Sequence, residues 1–145
     1  MANTTFSGPV ISTNGFVGNL TGNVTGNVTG NVTGNISGTV TGTVVQPVAA
    51  VTAAGTNLAT AAALSNGVNV VGSASGTNGV ALPTAVAGTT ISVYNSAATN
   101  GLIVYANTSD TINGTASVTM EGSTWLQCIA TTDAVWLTTI FTANT

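Results

Sequence analysis

Between residues 18 and 45 the chain alternates small apolar and polar positions with a period of four. Even positions carry glycine and an aliphatic in turn, the aliphatics being Leu20, Val24, Val28, Val32, Ile36, Val40 and Val44. Odd positions from Asn19 to Thr43 carry only Asn, Thr and one Ser. A strand sends successive side chains to opposite faces, so this parity builds one small apolar face and one polar face. A helix fits poorly, because glycine at every fourth position costs up to about 1 kcal/mol each against alanine. Fully extended, the segment reaches roughly 90 Å at ~3.3 Å per residue, and alone its backbone groups and valine stripe would face water. It therefore needs partners. Either the chain coils as short strands with glycine at the corners, or three chains wind around a shared core in which glycine lets backbones approach.

The rest of the chain divides by texture. Residues 1–17 form an arm with Phe6 and Phe16 and with Gly-Pro and Asn-Gly turn signals. Residues 46–67 are alanine-rich and read as a connector, with one short helix around 57–64. Residues 68–145 carry short β-branched runs, which predict strands over 68–72, 79–82, 89–94, 101–106, 117–121, 124–131 and 134–141. Turn signals separate them every 8–12 residues or so, as in a sandwich or barrel. The fold class expected is all-β: an intertwined or β-helix-like trimeric repeat, followed by a small antiparallel β-sandwich. In that second domain Val93, Ile103, Trp125, Cys128 and Trp136 are the expected core, with a sugar platform as the competing reading of the two tryptophans. About 75 residues make a small core, which oligomerisation would help.

Composition removes several functions. Among 145 residues there is no Lys, Arg or His, and the only acids are Asp110, Glu121 and Asp133. Without cations the chain has nothing to neutralise phosphates, so neither nucleic acid nor an anionic membrane is an expected partner. No apolar run approaches the ~20 residues of a membrane-spanning helix. The first residues lack the basic stretch and apolar core of a secretory leader, so folding in a cytoplasm is expected. Five Asn-x-Ser/Thr sequons between Asn19 and Asn35 are accordingly read as part of the repeat rather than as glycosylation sites.

Catalysis is not expected either. Nucleophiles and general bases usually depend on His or Lys, and zinc sites on Cys and His. The three acids sit beside turns, where carboxylates commonly cap backbone N–H groups. Cys128, the one cysteine, lies in the apolar run "TWLQCIAT" and reads as a small buried hydrophobe. No cofactor and no metal is expected.

Two resemblances add to this reading. Read from Leu20, "LTGNVTGN" followed by "VTGNVTGN" resembles the octapeptide repeat of triple-stranded β-helices in phage needles and fibres. That likeness implies a homotrimer with Leu20, Val24, Val28, Val32, Ile36 and Val40 in its core. In the C-terminal half, Leu82-Pro83, "AGTTISVYN", "LIVYA", "DTINGT" and a closing aromatic strand near Trp136 resemble a small β-domain of tailed-phage structural proteins. The opening "ANTTFSGPVISTNGF" is similar to the start of cyanophage-type virion proteins.

Together they imply a virion component assembled in the host cytoplasm: a trimeric capsid decoration protein, of the cement or head-fibre type. Its partners would be itself and the major capsid protein or another virion protein, with Phe6, Pro9, Val10, Ile11 and Phe16 as the attachment residues. A tail fibre, spike or adhesin that binds host glycan through Tyr94, Tyr105, Trp125 or Trp136 is the alternative. An ice-binding solenoid is a third reading, from the threonine ladder.

Overall fold

The structure is a computed structural model and describes residues 39–142. The expected attachment residues Phe6, Pro9, Val10, Ile11 and Phe16 lie outside the described residues, as do Leu20, Val24, Val28, Val32 and Ile36. Val40 is described; it belongs to no strand and is exposed.

Ten strands follow one another: β1 (Val48–Thr52), β2 (Ala62–Ala63), β3 (Gly67–Gly72), β4 (Gly79–Ala81), β5 (Thr90–Asn95), β6 (Leu102–Tyr105), β7 (Thr111–Ile112), β8 (Ser117–Met120), β9 (Thr124–Thr132) and β10 (Val135–Thr142). They form two sheets, one in the order β1-β3-β5-β9-β10-β7 and the other β2-β4-β6-β8. Consecutive strands alternate between the sheets up to β6. Within each sheet these strands pair in parallel, β1 with β3 with β5 and β2 with β4 with β6. The chain therefore winds as a solenoid of three coils. Among the described strands, antiparallel pairing joins β8 to β6, β9 to β5 and β10 to β9, which with β7, parallel to β10, close the C-terminal end.

The all-β class holds, and the seven expected strands are present with ends displaced by at most one residue. Three features differ from expectation. Parallel coils replace an antiparallel sandwich across β1 to β6. The segment 46–67 is the first coil rather than a connector, since β1 and β2 lie in it and pair with β3 and β4. The helix expected around 57–64 is absent. Asn57 instead closes a turn, its Oδ1 accepting from Thr60 N at 3.2 Å and its carbonyl from Ala61 N at 2.9 Å. Alanine's helix propensity is a weak preference, and pairing of Ala62 and Ala63 with Val80 and Ala81 overrides it.

The core lies between the two sheets. From the first come Val71, Ile91, Val93, Leu126, Cys128 and Trp136; from the second, Val80, Leu102, Val104 and Met120. Alternation in β3 and β5 is regular, every second residue buried, which is the pattern of a strand with one face inward. Of the five expected core residues, Val93, Cys128 and Trp136 are fully buried and Ile103 is half-buried. Trp125 is not in the core: it points outward and is 36% exposed.

Corner asparagines join the coils. Asn78 Nδ2 donates to the Ala53 carbonyl at 3.1 Å, one coil back, and Asn100 Nδ2 to the Ala74 carbonyl at 3.0 Å. Asn95, fully buried, donates to the carbonyls of Asn100 (2.8 Å) and Glu121 (3.0 Å), which ties the third coil to the capping strands. A buried amide left unpaired is expensive, and Asn95 satisfies its own on backbone carbonyls, whereas Asn78 is half-buried and Asn100 exposed. The second sheet packs closely at Gly79. A methyl group there would sit 2.6 Å from the Ile103 carbonyl oxygen and 2.6 Å from Tyr105 Cε2.

Candidate binding face

The outward face of the first sheet is where side chains remain free to meet something else. Register sets its layout. Ala50 opposes Val70, Val70 opposes Tyr94, Tyr94 opposes Trp125 and Trp125 opposes Phe141. One apolar row thus crosses five strands, and its last three members are aromatic. Two residues along, Ser92, Gln127 and Thr139 form a second row on the same face. Beyond them Ile129 opposes Leu137. These two are 43% and 50% exposed, and Phe141 is 52% exposed.

Tyr94 and Trp125 stack with centroids 4.8 Å apart and planes 26° from parallel. Beside them a shallow depression of ≈ 320 Å³ is lined by Ser92, Trp125, Leu126, Gln127 and Phe141. No charged residue occurs in β1, β3, β5, β9 or β10. The face is therefore electrically neutral along its whole width.

Why β9 turns this way can be argued from its side chains. Trp125, Gln127 and Ile129 share one parity; Leu126, Cys128 and Ala130 share the other. Burying the first set would strand the Gln127 amide among apolar groups, which costs several kcal/mol without partners. At the other end of the hairpin a register shift between Val135 and Trp136 sets Trp136 opposite Ala130. That places the largest side chain across from one of the smallest and takes the indole fully inside. Among the described residues Trp136 Nε1 finds no hydrogen-bond acceptor.

The remaining expected functional residues are engaged elsewhere. Tyr105 lies across Gly79 and donates its hydroxyl to the Thr56 carbonyl at 2.9 Å, so it belongs to the fold rather than to an open platform. Asp110 is buried, and its Oδ2 accepts from Ala85 N at 2.7 Å. Asp133 Oδ1 accepts from Ala87 N at 2.9 Å. Two of the three carboxylates thus fasten the loop between β4 and β5. Burial pushes the Cys128 thiol up from 9.0 to about 12, so it stays protonated and unreactive at neutral pH. Among the described residues no group of three or more His, Cys, Asp or Glu could hold a metal ion.

Of the four aromatics expected to meet a sugar, Tyr94 and Trp125 come together on the open face, whereas Tyr105 and Trp136 do not. Phe141, Gln127, Ser92, Ile129 and Leu137 were not anticipated. The signal for them lay in parity: every one of them falls in step with Trp125 or its cross-strand partner. Compared with known proteins, the chain matches no family model, no curated protein and no solved structure.

Proposed function

We propose that this chain is a non-enzymatic structural protein of a tailed-phage virion, a trimeric decoration protein of the cement or head-fibre type. The observation that carries the reading is the neutral sheet face, on which Ile129, Leu137 and Phe141 stand exposed beside Trp125. Exposed apolar patches of this kind mark contact with another macromolecule. A decoration protein adds contacts over a shell without chemistry, and such contacts form by shape, apolar burial and strand pairing. The polar side chains of the coil corners fit the same role, because buried Asn95 and Asp110, half-buried Asn78 and exposed Asn100 are all tied to backbone within the chain.

Attachment of this type has a testable signature. Contacts made without ion pairs are little screened by salt. Purified particles washed at about 1 M salt, where the screening length is about 3 Å, should retain the protein. Its copy number, measured by quantitative mass spectrometry, should scale with that of the major capsid protein. Chymotrypsin must replace trypsin, since the chain has no Lys or Arg. A count of only a few trimers per particle, or release by moderate salt, would overturn the decoration reading.

A further inference from the structure

We propose that the free edge of β10, from Thr138 to Thr142, pairs antiparallel with the same edge of a second copy of this chain, about a twofold axis through Ile140. The contact lies in the plane of the sheet, so the outward face stays open to its own partner. A twofold contact adds to a threefold one rather than competing with it, and joins one trimer to the next. The inference rests on strand geometry and does not depend on the virion reading.

Hydrogen-bond directions define the edge. Successive residues of a strand aim their N–H and C=O groups to opposite sides. On β9, Ala130 N donates to Thr89 O at 2.9 Å, so the even residues of β9 serve β5 and its odd residues serve β10. Their partners Leu137, Thr139 and Phe141 therefore point at β9, while Trp136, Thr138, Ile140 and Thr142 point away. The start of this outer row is occupied. Trp136 O accepts from Asn113 N at 2.8 Å, and Thr138 N donates to Asn113 Oδ1 at 3.0 Å. Past Asn113 the ladder is open: among the described residues, no backbone group pairs on this side with Thr138 O, Ile140 or Thr142.

Natural sheets guard such edges with charge, proline or a bulge, or keep them short. β10 has eight residues, and its register shift lies at the far end, between Val135 and Trp136. Residues 137–142, "LTTIFT", hold no charge and no proline and are mostly β-branched or aromatic. Ile140 shares the inward parity of fully buried Trp136 yet is 45% exposed. The register is self-complementary. A second β10 turned through a half-circle about Ile140 sets Ile140 against Ile140, Phe141 against Thr139 and Thr142 against Thr138. The two Ile140 residues exchange both backbone bonds, and each Thr142 N reaches the opposing Thr138 carbonyl, which Asn113 leaves free. No like charges meet, and Ile140 and Phe141 each gain a cross-strand neighbour. The other edge of this sheet, β1, is a poorer candidate, because Ala49 and Ala50 bring little side chain to bury. Residues 138–142 make a small contact, below the ~1,200 Å² of a stable interface. Single chains therefore associate weakly, and copies already held on a common surface associate more firmly.

The test is disulfide trapping on the purified full chain. Ile140→Cys, Thr138→Cys and Thr142→Cys are made singly; Cys128 is buried and stays out of the reaction. Under copper-phenanthroline oxidation Ile140→Cys should link into dimers, because the twofold axis brings its two Cα atoms to about 5.5 Å. Thr138→Cys alone and Thr142→Cys alone should not link, since like residues then lie roughly 13 Å apart at ~3.3 Å per residue. Mixed together, those two variants should link to each other. Ile140→Pro gives an independent reading. Its N–H points away from β9, so the variant should melt close to the parent, while association followed by sedimentation weakens about tenfold or more. If Ile140→Pro fails to fold, the cysteine series decides alone. Linking of Thr138→Cys as readily as Ile140→Cys would overturn the proposal, because like residues would then stand level, as around a threefold axis along the strands. So would an Ile140→Cys that stays unlinked, the result expected if another segment of the chain covers the edge. So would an Ile140→Pro variant that folds and associates like the parent. Each readout is taken on isolated protein, so failure here leaves the virion reading to its own test.

Discussion

Tyr94 and Trp125 stand directly opposite each other on β5 and β9, and their rings stack at 4.8 Å on the solvent side of the sheet. The second tryptophan is on the other side of the same sheet, fully buried. The two should therefore behave as opposites. Acrylamide should quench the Trp125 emission and leave a blue-shifted residue from Trp136. Trp136→Ala should cost about 3–5 kcal/mol in urea denaturation, as large-to-small core changes do. Trp125→Ala should cost no more than about 1.5 kcal/mol, the scale of a lost aromatic pair. Equal costs would refute the assignment of Trp136 to the core and Trp125 to the open face.

Gly79 should admit no side chain. An added Cβ would meet both the Ile103 carbonyl and the Tyr105 ring at 2.6 Å. Gly79→Ala is expected to destabilise by about 1–3 kcal/mol, the usual range for overpacking. Combining it with Tyr105→Ala removes only the ring contact, so the double variant should remain less stable than Tyr105→Ala alone. Thermal melts of the three variants decide this.

Asn95 should matter far more than Asn57. Its fully buried side chain donates to two carbonyls and accepts from Ala97 N at 3.1 Å, in bonds that are partly shielded from water. Asn95→Ala leaves these groups unpaired and should cost about 3 kcal/mol. Asn57 makes its bonds to Thr60 at an exposed turn, where water replaces them. Asn57→Ala should cost below about 1 kcal/mol. Chemical denaturation with a common slope gives the comparison.

Alkaline pH should weaken the fold through Cys128. Its folded value is raised to about 12, so the unfolded chain releases this proton first, near pH 9. The stabilisation is complete below pH 9 and declines as pH rises toward 12, by roughly 1.4 kcal/mol per pH unit. Cys128→Ala removes this contribution. Denaturation curves between pH 8 and 10.5 should show a shallower decline for the variant than for the parent, and parallel declines would refute the assignment. Below pH 8 a thiol reagent should react with the native protein only as fast as the fold opens.

Much of the β-structure was legible because its signals are local. Strands such as "TISVYN" and "GVNVVG" alternate with turn residues, and alternation needs no knowledge of the partner strand. The strands that were missed are short or rich in alanine. β2 is two alanines and β7 only Thr111 and Ile112, and neither has enough side chain to leave a period. The coil repeat did leave a trace. Thr-Asn recurs at 56–57, 77–78 and 99–100, and in the second and third of these the asparagine bonds the corner one coil back.

The sequence by itself determined that the described fold is β, where most strands begin and end, and that its surface carries no cation and very few acids. Each of these follows from residue type and period alone. Whether successive strands pair as hairpins or stack in parallel coils was decided only in three dimensions. Pairing depends on where the chain returns after each corner, and the bonds from Asn78 and Asn100 that bring it back reach residues some 25 positions away. The tertiary structure also decided which tryptophan is buried. β9 is apolar on both parities, so alternation could say that Trp125 and Leu126 face opposite ways but not which faces in. The answer came from the room opposite Ala130, which admits Trp136, and from the cost of burying the Gln127 amide, which turns Trp125 toward solvent.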